Sequence, residues 1–120
     1  MTGPLNELLE LFKICAFETR WTVTDGNGNP VNLDGQTVKF RIWASQTASS
    51  PLVDANTSNG GIIADGNGNI DLFLSTTVMD IAPTEDVPYL WNLIATLGGQ
   101  DYILAEGPCL VHGKARIGGA

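Results

Sequence analysis

The chain has 120 residues, of which 43% are hydrophobic and 16% charged, and its formal net charge is −7. That length fits one domain, and the apolar content excludes intrinsic disorder. The acidic balance argues against a nucleic-acid-binding surface, because the six basic residues (Lys13, Arg20, Lys39, Arg41, Lys114 and Arg116) are scattered and form no basic run.

Residues 1–14 read as an arm. Pro4 can open a helix, and Leu5, Leu8, Leu9 and Phe12 recur at i, i+3, i+4 and i+7, a helical stripe. A helix this short is marginal alone. The arm, helical or extended, therefore needs a surface to lie on, either its own domain or a neighbouring subunit. Glu7, Glu10 and Lys13 interrupt the apolar run and no early positive charge precedes it, so neither a signal peptide nor a membrane span is expected. Without an export signal, Cys15 and Cys109 are expected to be reduced and buried rather than paired.

From Phe17 the period becomes two, and residues 15–113 read as one β domain. Phe17, Thr19, Trp21 and Val23 alternate with polar neighbours, the pattern of a half-buried strand. A second strand places Val38, Phe40, Ile42 and Ala44 on one face. Residues 44–59 read as a loop around a short strand at 52–54, and residues 60–64 as another short strand. Ile70, Leu72 and Leu74 mark the next strand, followed by a connection with a possible helical turn at 77–81. The strongest strand spans 89–97, with Tyr89, Trp91, Leu93, Ala95 and Leu97 on one face. Gly98-Gly99 turns it into a hairpin with residues 102–106, where Gly107-Pro108 predicts a bulge or an edge feature before the strand resumes at 109–112. The Gly-rich residues 114–120 read as a mobile or partner-bound tail. Short strands with frequent turn signals predict an all-β, antiparallel sandwich or barrel.

The pentapeptide DGNGN occurs at 25–29 and again at 65–69. Asp25, Asn27 and Asn29, like Asp65, Asn67 and Asn69, match the first three ligand positions of an EF-hand loop. Position six is then Pro30 or Ile70 instead of Gly, and position twelve is Gln36 or Thr76 instead of Glu. Asp-Gly and Asn-Gly favour the tight turns that join strands, and both copies lie between extended segments, so turns are expected and no metal site.

No catalytic constellation stands out. His112 is the only histidine and has no second His or Cys ligand beside it, so a zinc site is not expected. Cys15 with His112 would make a nucleophile and base, but no nucleophile elbow accompanies them. Asp34, Asp71, Asp80, Glu85, Asp86 and Asp101 could supply a carboxylate pair, yet they fall near turns or on outer faces, where solvation explains them. The reading is a non-enzymatic protein without cofactors. Its anomaly is apolar: Trp43, Phe73, Leu90 and Ile94 fall opposite the inferred core positions. Such residues mark either strands covered on both faces or a surface that meets another protein.

Three segments carry a family resemblance. WTVTDGNGNPVNLDGQTVKFRIW (21–43) resembles the opening of small β-sandwich proteins encoded among the virion genes of tailed bacteriophages and prophages. GGIIADGNGNIDLFLS (60–75) looks like their middle strand pair, and PYLWNLIATLGGQDYILAEGPCLVHG (88–113) is similar to their closing block. The resemblance covers residues 17–113 and implies an Ig-like or upper-baseplate-like sandwich in a tail, baseplate, fibre-attachment or head-decoration position, with no catalytic residues carried over. It further implies a virion subunit assembled in the bacterial host cytoplasm, whose partners are other virion proteins and copies of itself, with neither nucleic acid nor membrane. The interface candidates are Leu5, Leu8, Leu9 and Phe12 in the arm and Trp43 and Phe73 on the sheets. The alternative is a receptor- or glycan-binding sandwich in which Trp43 stacks on a sugar ring.

Overall fold

A computed structural model of the protein describes residues 5–12, 15–84 and 87–113. Among the described residues nine strands follow one another: β1 (Leu5–Asn6), β2 (Leu9–Phe12), β3 (Phe17–Thr22), β4 (Thr37–Trp43), β5 (Val53–Asn56), β6 (Ile62–Ala64), β7 (Asn69–Leu74), β8 (Tyr89–Leu97) and β9 (Gln100–His112). They form a sandwich of two sheets. The larger has the order β1-β9-β8-β4-β5, with β2 also on β9, and the smaller has the order β3-β7-β6. Pairing is antiparallel except for β1 and β2, which run parallel to β9.

Two-residue periodicity builds the core. Val38, Phe40 and Ile42 of β4, Trp91, Leu93 and Ala95 of β8, and Ile70, Leu72 and Leu74 of β7 all point between the sheets and are buried. Trp21 reaches across from β3 and stacks on Phe40 and Trp91, with ring centroids 6.2 and 5.8 Å away. Phe40 and Trp91 are themselves 5.8 Å apart. Each such aromatic contact adds about 0.5–1.5 kcal/mol beyond its buried area. Met79, fully buried, is carried in by a single backbone turn in which its N–H reaches the Ser75 carbonyl at 3.0 Å.

The helical alternative for the arm is overturned, because its described residues are extended. Leu9 and Leu11 turn into the core at period two, and pairing with β9 supplies the backbone partners that a short helix could not hold alone. Of the two features expected at Gly107-Pro108, the bulge lies elsewhere and the edge feature is present. The β8–β9 ladder runs through both residues, and its register shifts between Leu93 and Ile94, where Leu104 is the extra residue on β9. The bulge reverses parity, so Ile103 faces outward on one side of it and Glu106 on the other. Pro108 acts on the opposite edge. Glu7 donates its N–H to Glu106 O at 3.0 Å, so even-numbered residues of β9 present their backbone groups to the arm. Pro108 has no N–H to present, and pairing lapses at Glu7 and Leu8, dividing β1 from β2.

Candidate functional site

The two DGNGN segments are the same turn built twice. Asp25 N–H donates to Asn29 O at 2.8 Å, and Asp25 Oδ1 accepts the N–H groups of Asn27 and Asn29 at 2.8 and 3.0 Å. Asp65 repeats this with Asn69 O at 3.1 Å and the N–H groups of Asn67 and Asn69 at 2.8 and 3.0 Å. The backbone N–H groups of Asn69 and Asn67 hold the Asp65 carboxyl below the usual carboxylate range. Each carboxylate thus faces its own loop backbone, and the turn reading holds. The repetition has a spatial consequence. Thr22 of β3 pairs with Asn69 of β7, and Val23 N–H donates to Gly68 O at 2.8 Å, so the two turns sit side by side at one end of the sandwich. A Cβ on Gly68, which has a φ of +79°, would meet Val23 O at 2.3 Å, so this contact requires glycine.

The residues considered for catalysis have ordinary partners. His112 Nε2 lies 3.3 Å from Glu10 Oε1, with its ring against Phe12 at 4.9 Å between centroids. Cys15 and Cys109 are unpaired, and burial pushes the Cys109 thiol up to about 12. Asp71 takes a bidentate bond from Arg20, at 2.6 Å to Nε and 3.0 Å to Nη2, which holds its carboxyl below the usual range. Asp101 accepts from Thr96 Oγ1 at 2.6 Å. Glu85 and Asp86 lie outside the described residues.

The interface candidates divide by position. In the arm, Leu9 packs in the core of its own domain and Phe12 is half-buried against His112, leaving Leu8 exposed. The Leu5 backbone pairs with Ala105, and its side chain lies outside the described residues. On the larger sheet Trp43 is half-buried and aligned opposite Leu90, with the Arg41 guanidinium 5.9 Å from its ring centroid. Trp43, Leu90, Asn92, Glu106 and Pro108 line a cleft of about 620 Å³, walled on one side by Ser45 and Gln46 of the β4–β5 connection. Trp43 Nε1 and Asn92 Oδ1 are buried there without a hydrogen-bond partner among the described residues. On the smaller sheet Phe73 is 46% exposed, and Ile63, aligned opposite Asp71 on the next strand, is 67% exposed. With Glu18, Arg20 and Asp71 they line a shallow groove of about 450 Å³. The alternation of β7 identified Phe73. Ile63 gave no such signal, because β6 is too short to display a period.

No family model matches this sequence, and no curated protein matches it. The fold does recur among solved structures. A chain from a photo-crosslinking study of multimeric cell-adhesive interactions of VGSC beta subunits aligns over 91% of this chain and 93% of its own, with a TM-score of 0.51 and 14% identity. At that identity the likeness is one of fold, and the architecture is an Ig-like β-sandwich.

Proposed function

We propose that the protein is a non-enzymatic structural subunit of a tailed-phage virion that works by binding neighbouring subunits through its sheet surfaces. The virion setting rests on the sequence resemblance over residues 17–113. The mode of action rests on one observation. Phe73 and Ile63 stand exposed on the solvent face of the three-stranded sheet, where the alternation of a free-standing sandwich calls for polar side chains. Burying both against a partner removes the exposed parts of two large apolar groups from water, worth about 1–2 kcal/mol each once their existing burial is discounted.

The double substitution Phe73→Ser and Ile63→Ser should leave the circular dichroism spectrum and melting temperature near wild type while abolishing incorporation into particles. Wild-type incorporation of that variant would reject the reading.

A second reading, a small-ligand or glycan site, is favoured by the cleft at Trp43. Its volume suits a small ligand, and Trp43 brings a half-buried aromatic ring to its wall, a surface on which a sugar ring can stack. A glycan-array signal lost in Trp43→Ala would support it, whereas silence of the wild-type protein across the array would remove it.

A further inference from the structure

We infer that the open edge of β3 pairs antiparallel with β3 of a second copy, in one register that places Glu18 of each chain opposite Arg20 of the other. The inference rests on the assembly reading above and names its closest partner.

Among the described residues β3 pairs only with β7. The direction of its remaining backbone groups follows from one hydrogen bond and the strand register. Phe73 N–H donates to Gly61 O at 2.9 Å, so odd-numbered residues of β7 face β6 and even-numbered ones face β3. Leu74, Leu72 and Ile70 therefore exchange hydrogen bonds with Phe17, Thr19 and Trp21, their partners in register. Glu18, Arg20 and Thr22 are left presenting N–H and C=O to the open edge. An edge of this kind is a template for another strand.

Charge selects the register. The side chains of Glu18, Arg20 and Thr22 are exposed on the outer face of the sheet. A two-fold axis at Glu18 would set glutamate against glutamate, and one at Arg20 would set arginine against arginine, both unfavourable. With the axis at Thr19, Glu18 faces Arg20 of the second copy, and symmetry makes the pair twice. Both pairs belong to even-numbered residues, so each also exchanges two backbone hydrogen bonds. The row across the joined sheets then reads Phe73, Glu18, Arg20 and Asp71, the last two from the second copy. Arg20 already grips Asp71 at 2.6 Å, so an arginine is held between two carboxylates. On the inner side Phe17 meets Trp21 of the second copy, covering two half-buried aromatics.

Two experiments on the full chain test this. Sedimentation equilibrium should show a concentration-dependent dimer, and Glu18→Arg should weaken it at least about tenfold, since two favourable pairs become two repulsive ones. In the second experiment, Thr19→Cys in a Cys15→Ala background should cross-link to a covalent dimer under mild oxidation. Thr19 meets its own copy as a non-hydrogen-bonded pair with Cα atoms about 4.5 Å apart, within disulfide range. Thr22→Cys in the same background should form no covalent dimer. A strictly monomeric wild type, or a Thr19→Cys variant that fails to cross-link while folded, overturns the pairing. Loss of the dimer by Glu18→Arg with normal particle incorporation would leave the assembly reading standing. Failure of the Phe73 and Ile63 test would remove that reading independently of the dimer.

Discussion

Two residues show how position in the fold changes what a side chain does. In sequence Glu7 is one charge breaking an apolar stripe. In the fold it satisfies two tryptophans from different sheets: Trp91 Nε1 donates to its carbonyl oxygen at 3.1 Å and Trp21 Nε1 to its Oε1 at 3.2 Å. Trp91 is fully buried and Trp21 half-buried, and indole donors removed from water need such acceptors. Nothing in the local pattern announces the pairing, since Glu7 and Trp91 are 84 positions apart. Cys109 is the second case. Its thiol is raised from 9.0 to about 12 by burial, so the folded chain keeps the proton where the unfolded chain loses it. The stability associated with the neutral thiol is complete below pH 9 and is lost as pH rises from 9 toward 12. The decline should approach about 1.4 kcal/mol per pH unit. Denaturant titrations across that window, compared with Cys109→Ala, should show a steeper fall in the wild type. Parallel slopes would refute this account.

At the scale of elements, the arm shows what periodicity cannot decide. Leu5, Leu8, Leu9 and Phe12 fit a helix, whereas Leu9 and Leu11 fit a strand, and a short segment carries both patterns. The strand is selected by β9, whose edge offers backbone partners and whose Gly107 lets the arm come close. A Cβ on Gly107 would lie 2.1 Å from Glu7 O. Gly107→Ala should therefore detach the arm without unfolding the sandwich. Hydrogen exchange should rise at least about tenfold for residues 9–12 and stay near wild type in β4 and β7, the behaviour of a separately opening segment. Uniform exchange across the chain would show that the arm is integral to the cooperative unit. The strands at 17–23, 37–43, 69–74 and 89–97 were legible because each has three or more apolar residues at period two. The bulge at Leu104 was not, because its signature is a change of partner register and not a change of residue type.

Across the whole molecule, the stack of Trp21, Phe40 and Trp91 joins one sheet to the other. Trp91→Phe removes the indole N–H bonded to Glu7 and part of the fully buried side-chain volume, and should cost about 2 kcal/mol. Because the stack spans both sheets, amide protection in β7 and β8 should fall by the same factor. A loss confined to β8 would mean that the sheets open separately. The same alternation that fills this core leaves Phe73 on the outside, and that outward position was readable from the sequence. The cleft at Trp43 was readable only as one outward aromatic. Its walls come from β4, β8, β9 and the β4–β5 connection, which are brought together by pairing across the sheet.

The amino-acid order by itself determined the all-β class, the turns at DGNGN and most inward-facing residues, because period and turn chemistry act over a few neighbouring positions. Tertiary structure alone decided that the arm lies parallel on β9, that Glu7 serves both indoles, and that among the described residues β3 pairs along one edge only. Those outcomes depend on which strands meet, and strands meet through contacts between distant segments that no local pattern encodes.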